Sequence, residues 1–162
     1  MEIAIIADTH MPRGPRRLPE ACMDRLRSAD LIVHAGDLMA LSVLRELESY
    51  GPVVAVHGNV DDPEVRVALP SLAVVPLGRW RIYVIHDAGP SPRRLARLRS
   101  RFPQADAVVF GHSHIPLREH DADGFQIFNP GSPTERRRAP HHTMGMARPG
   151  KSGLQFELIE LD

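Results

Sequence analysis

A chain of 162 residues with 43% hydrophobic content is long enough to bury a substantial core and falls in the range of one compact domain. Its 20 basic and 20 acidic side chains cancel, so no global field draws it to long nucleic acid or to an anionic membrane, and any anion affinity has to be local. The single cysteine, Cys22, allows no internal disulfide and no thiolate cluster; this fits a reducing cytoplasm and leaves metal chemistry to histidine and carboxylate.

The first segment, Ile3 to Ala7, is a short apolar, β-branched run that meets polar residues at once. It reads as a buried strand and lacks the basic start and long apolar core of a secretion signal. No later stretch approaches the roughly 20 apolar residues needed to span a bilayer. A soluble, cytoplasmic protein with no membrane partner is expected. Met11 to Arg17, rich in Pro and Arg, reads as a loop, and Pro19 to Ser28 as a helix. Leu31 to Ala35 is the second strand. Ala40 to Tyr50 is a second helix, with Leu41, Leu44 and Leu47 along one face and Gly51-Pro52 as its stop. Val53 to His57 is a third strand; Asp61 and Asp62 form a turn into the helix-like Pro63 to Ala68.

Leu72 to Leu77, Ile82 to His86 and Ala107 to Phe110 are further strands, with a helix over Ser91 to Phe102. Strands alternating with helices predict parallel βαβ units through the first two thirds. After Gly111 the segments shorten: Leu117 to His120, Phe125 to Asn129, Thr143 to Arg148 and Gly153 to Glu160 read as hairpin strands, and Ser132 to His142 as a long loop. The fold class is α/β with mixed sheets. No internal repeat or low-complexity linker divides residues 1–162, and a single domain is expected.

Chemistry is concentrated where strands end. Asp8 and His10 follow the first strand and Asp37 the second. Asn59 follows the third, His86 closes the strand from Ile82, and His112 and His114 follow Val108-Val109-Phe110-Gly111. In open α/β sheets the loops beyond the carboxyl ends of the strands converge on one site. Glycines before Asp37, Asn59 and His112 permit sharp turns and close backbone approach. Imidazole, carboxylate and amide oxygen suit divalent first-row metals. Seven such groups exceed the needs of one tetrahedral ion; shared by two ions with one bridging carboxylate, they leave positions for water and substrate. Each motif alone has a blander reading, as a capping turn or a packed histidine. Their joint occurrence, in order and at strand ends, is what points to a metal site.

On these residues the sequence resembles the calcineurin-like metallophosphoesterases, in particular the small single-domain branch that includes bacterial and archaeal phosphodiesterases and a eukaryotic retromer subunit. The resemblance spans Ile3 to Ser132, through Asp8-Thr9-His10, Gly36-Asp37, Gly58-Asn59, His86, Gly111-His112-Ser113-His114 and Asn129-Pro130-Gly131-Ser132. It implies a four-layer sandwich of two mixed sheets flanked by helices. It also implies two divalent ions (manganese, zinc, iron or nickel), one held by Asp8, His10, Asp37 and His114, the other by Asp37, Asn59, His86 and His112, with Asp37 bridging.

The implied reaction is phosphodiester hydrolysis by a hydroxide bridging the two ions. Asp37, Asn59 and His112 would be the catalytic members. A small phosphorylated substrate, a nucleotide or cyclic nucleotide included, is the expected partner, and the class allows a homo-oligomer. Two departures stand out. Many relatives carry a histidine directly after the Gly-Asn pair, where it protonates the leaving group; here it is Val60. The fourth motif, commonly His-Gly, is His86-Asp87, and Asp87 either orients His86 or is a solvated loop acid. A catalytically weak metal-binding scaffold on the same fold is the alternative, although the ligand set is complete.

The remaining polar groups are expected to be structural. Arg13, Arg16 and Arg17, and Arg136 to Arg138, read as solvated loop charges ahead of the alternative that they reach a substrate phosphate, His34 and His57 as packed groups, and His141 and His142 as loop residues or an opportunistic surface metal site.

Overall fold

The computed structural model describes all 162 residues. In chain order the elements are β1 (Ile3–Ile6), α1 (Glu20–Ser28), β2 (Leu31–His34), α2 (Leu41–Tyr50), β3 (Val53–Ala55), α3 (Pro63–Ala68), β4 (Leu72–Leu77), β5 (Trp80–Ile85), α4 (Arg94–Arg101), β6 (Ala107–Val109), β7 (Leu117–His120), β8 (Gln126–Asn129), β9 (Thr143–Pro149) and β10 (Leu154–Glu160). They form two five-stranded mixed sheets, ordered β10-β9-β1-β2-β3 and β4-β5-β6-β8-β7. In the first, β1, β2 and β3 are parallel and the β9–β10 hairpin adds antiparallel strands at one edge. In the second, β5, β6 and β8 are parallel, with β4 and β7 antiparallel at the edges.

The alternation of side chains along each strand builds the layers. Ile3, Ile5 and Val33 from the first sheet pack with Val84, Val109 and Phe128 from the second, and Phe128 stacks on Phe156 with ring centroids 4.8 Å apart. On the outer side of the first sheet, Ala4, Ile6 and Ile32 share a core with Cys22, Leu26, Val43, Leu47 and Val65 of the helices. Leu98 and Phe102 of the α4 region cover Val108 and Ile127 of the second sheet. This is the expected four-layer sandwich. Its central strands are apolar throughout because both faces are covered.

Two details depart from the sequence reading. β4 and β5 form an antiparallel hairpin instead of continuing the parallel pattern. Only Gly78 and Arg79 join them, far too few for a crossover, and Gly78 supplies the positive φ of +61° the tight turn needs. The fourth helix begins at Arg94 and not at Ser91, because Arg93 is left-handed (φ 55°) and ends any helical run from the N-terminal side. No helix is long and apolar enough to cross a membrane.

Candidate metal centre

The loops that follow β1, β2, β3, β5 and β6 meet at one rim, and the structure brings all seven predicted residues together there. Asp8, His10 and His114 each offer an atom within 4.8 Å of the others; Asp37, His86 and His112 form a second such group. Asp37 Oδ2 joins the two, at 3.4 Å from His10 Nε2 and 3.1 Å from His86 Nε2. Asn59 Oδ1 lies 3.0 Å from both His86 Nε2 and His112 Nδ1. Asp8, His10, Asp37, His86 and His114 are buried, whereas Asn59 and His112 are exposed.

Local backbone geometry aims these groups. Asp8 (φ 55°), His10 (φ 48°), Asp37 (φ 59°), His112 (φ 71°) and His114 (φ 61°) are all left-handed. For a residue with a Cβ this costs about 1 kcal/mol or more each, and such outliers gather where function fixes the backbone. The Asp8 N–H donates to the Gly36 carbonyl and the His10 N–H to that of Asp37, so the β1 and β2 ends are tied together beyond the sheet. Close approach requires glycine beside Asp37 and His86. A Cβ on Gly36 would lie 2.5 Å from His86 Nδ1, and one on Gly58 would lie 2.1 Å from Asp37 Oδ1.

The electrostatics fit a divalent cation. Burial pushes the Asp8 carboxyl up to about 7, against the pull of His86 and with Asp37 adding to the rise. Burial also disfavours ionised Asp37, but the His10 and His86 rings beside it outweigh that and hold it well below the usual carboxylate range. Burial pushes His114 down to about 4, leaving a neutral imidazole. Asp8 Oδ2, His10 Nε2 and His114 Nε2 are buried and make no hydrogen bond. Orphans of this kind cost about 1–3 kcal/mol each. Three of them converging from a carboxylate and two imidazoles are the donor set a first-row divalent ion satisfies. The second group also fits. His86 Nδ1 donates to the Ala35 carbonyl at 2.8 Å, which turns Nε2 toward Asp37.

That bond settles the two readings of Asp87. The Ala35 carbonyl orients His86, while Asp87 is exposed and accepts the Gly89 N–H at 2.8 Å as a turn cap. His34 is a packed group as expected. Its Nδ1 accepts the Gly36 N–H, which leaves the Nε2 proton to face Thr9 Oγ1 at 3.0 Å.

Asp61, read as a turn residue, and Arg16, read as a loop charge, both do more. Asp61 accepts the N–H groups of Gly58 (2.7 Å), Asp37 (3.2 Å) and Met39, clasping the turns that carry Asp37 and Asn59. Arg16 is not a solvated charge: its Nη2 donates to Glu135 Oε1 at 2.7 Å, and Glu135 Oε2 stands 2.9 Å from His10 Nδ1. Arg13, Arg17 and Arg136 to Arg138 are exposed, as expected. Sequence reasoning missed Glu135. Its signal was the Asn129-Pro130-Gly131-Ser132 run, since β8 is parallel to β6 and its following loop shares the rim.

A two-sheet sandwich with imidazoles, carboxylates and an amide gathered at its strand ends is the framework of a metal-dependent phosphoesterase. The chain belongs to the calcineurin-like phosphoesterase superfamily, whose domain profile matches residues 1–151. It is 34% identical over 162 residues to a probable metallophosphoesterase of Methanothermobacter thermautotrophicus, covering 98% of this chain and 92% of that one. A phosphodiesterase of Methanocaldococcus jannaschii is 24% identical over 145 residues, covering 81% of this chain and 83% of that one. Among solved structures, Vps29 of Entamoeba histolytica in complex with zinc superposes over 100% of both chains with a TM-score of 0.78 at 19% identity, a likeness of fold.

Proposed function

We propose that this phosphoesterase hydrolyses small phosphodiesters, nucleotides among them, at a centre of two divalent ions. Asp8, His10 and His114 hold one, Asn59, His86 and His112 the other, and Asp37 is shared. The observation that carries the reading is Asp37 Oδ2 between the two clusters, 3.4 Å from His10 Nε2 and 3.1 Å from His86 Nε2. Manganese, zinc, iron and nickel all suit the donors. When bound, such ions supply Lewis acidity toward phosphoryl oxygens and lower the pKa of a coordinated water.

The chain contributes placement. Asn59 and His112 are the exposed members of the set, so they are the ones that meet substrate oxygens. A cavity of about 330 Å³ opens beside Asn59 and His86, with Arg66, Arg101 and Leu72 in its wall, and accommodates one arm of a diester. Val60, 37% exposed after Asn59, offers no proton to a departing alkoxide. Diesters with good leaving groups are therefore the preferred substrates. The complete set of donors supports an enzyme over a scaffold on the same fold.

The test is turnover of bis(4-nitrophenyl) phosphate and 4-nitrophenyl phosphate by metal-free protein reconstituted with manganese. The diester is expected to react faster, at two ions per chain, and Asp37→Asn is expected to abolish the reaction. Faster monoester hydrolysis, or full activity in Asp37→Asn, refutes the proposal.

A further inference from the structure

The segment after β8 touches one half of the site and not the other. Ser132 Oγ donates to the Asp8 carbonyl at 2.9 Å and itself accepts the Glu135 N–H at 2.9 Å. Thr134 Oγ1 donates to the Thr9 carbonyl at 2.7 Å. The Glu135 carbonyl accepts the His114 Nδ1 proton at 2.6 Å. Glu135 Oε2, with no hydrogen bond of its own, stands 2.9 Å from His10 Nδ1, while Oε1 is held by Arg16. The strap Ser132–Glu135 thus reaches Asp8 and Thr9 through their carbonyls, and His10 and His114 through the ring nitrogens facing away from the cluster. Asp37, His86 and His112 are held by other groups: the Val60 N–H on Asp37 Oδ1, the Ala35 carbonyl on His86 Nδ1, and Asn59 Oδ1 on the His112 ring.

We infer that Glu135, steadied by Arg16, is a positioning residue that sets the metal affinity of the Asp8–His10–His114 half alone. The inference rests on the two-ion reading above. The physical reason is directional. The negative charge of a carboxylate 2.9 Å from Nδ1 favours by attraction the tautomer with the proton on that side, which leaves the Nε2 lone pair for a cation and makes the ring a better donor. A second contact, from the carbonyl of the same residue to His114 Nδ1, does the same for the other imidazole. Both rings of one half are therefore registered by one residue, and neither ring of the other half is.

The experiment is a titration of metal-free wild type, Glu135→Ala, Glu135→Gln and Arg16→Ala with cobalt(II), read by calorimetry and by visible absorption, beside thermal unfolding of the metal-free forms. Wild type is expected to take two ions. Glu135→Ala is expected to weaken one of them about 10–100-fold and leave the other unchanged. Glu135→Gln, which retains an acceptor oxygen, is expected to recover part of the loss. Arg16→Ala, with the carboxylate intact, is expected to weaken the same ion by less. Two unchanged affinities in Glu135→Ala overturn the inference and leave the two-ion reading standing, and so does an equal loss at both ions, which marks a general fold defect. Fewer than two ions in wild type overturns both.

Discussion

Asp61 gives the sharpest test of how the site is held. It is only 5% exposed, and its carboxylate is the acceptor for the N–H groups of Gly58, Asp37 and Met39. Asp61→Ala leaves three donors without it. At about 1–3 kcal/mol for each buried unsatisfied donor the gross loss exceeds 3 kcal/mol. Two terms reduce it. Water can reach the half-buried Met39 N–H, and burial, which holds the Asp61 carboxyl above the ordinary carboxylate range, means that some desolvation is relieved when the charge goes. The expected net cost is about 2–4 kcal/mol, out of the 5–15 kcal/mol typical of a domain. For a chain of this size that is roughly 5–15 °C in Tm. Asp61→Asn should lie between, because its amide nitrogen cannot accept and sets a donor against a donor. Urea unfolding with EDTA present isolates this term from metal binding, with a lower midpoint at unchanged slope as the signature. If Asp61→Ala unfolds within about 0.5 kcal/mol of wild type, the clasp contributes nothing and the reasoning fails.

Three further outcomes follow from the same geometry. Val60→His should raise turnover of an alkyl diester at least about 10-fold while leaving the nitrophenyl diester nearly unchanged, since only the poor leaving group needs a proton; an unchanged ratio of the two rates refutes it. His34 should remain neutral far into acid. Unfolded, it takes a proton near the ordinary 6.5, whereas burial and the nearby His86 push the folded value down to about 3. Its contribution to stability is thus complete above pH 6.5 and lost as pH falls toward 3. Nitrogen NMR of the imidazole, with the proton on Nε2 throughout, checks this, and titration near 6.5 contradicts it. Last, His112→Gly should be more stable than His112→Ala by about 1 kcal/mol in EDTA, because only glycine relaxes at φ 71°; equal unfolding midpoints count against stored backbone strain at this loop.

How much of this was written in the sequence depends on the kind of signal. The β1, β2 and β6 runs are buried on both faces, and continuous apolar stretches bounded by Asp, His and Gly announce such strands plainly. Because parallel strands end on one side, the placing of Asp8, Asp37, Asn59, His86 and His112 at strand ends already implied their meeting. The β4–β5 hairpin breaks the parallel pattern, and the overlooked signal was the link between the two runs, too short for a crossover. Asp61 and Glu135 were hidden for another reason. A single acid in a loop carries no periodicity, and its distant partners, Met39 and Asp37 for one and His10 and Arg16 for the other, are chosen by tertiary contacts. For Arg16 the favoured reading of a free charge failed for the same cause: Glu135, its partner, lies 119 positions along the chain.

Each cluster at the rim draws on both sheets. Asp8, His10 and Asp37 extend from the first, and His86, His112 and His114 from the second. A cation held by either cluster is therefore a rivet across the seam of the sandwich as well as a reagent. Because it binds the folded chain and not the separated strands, a concentration 100 times its Kd adds about 2.7 kcal/mol of stability, applied across the join between the two sheets. Removing the ion is therefore expected to lower the unfolding temperature as well as the rate.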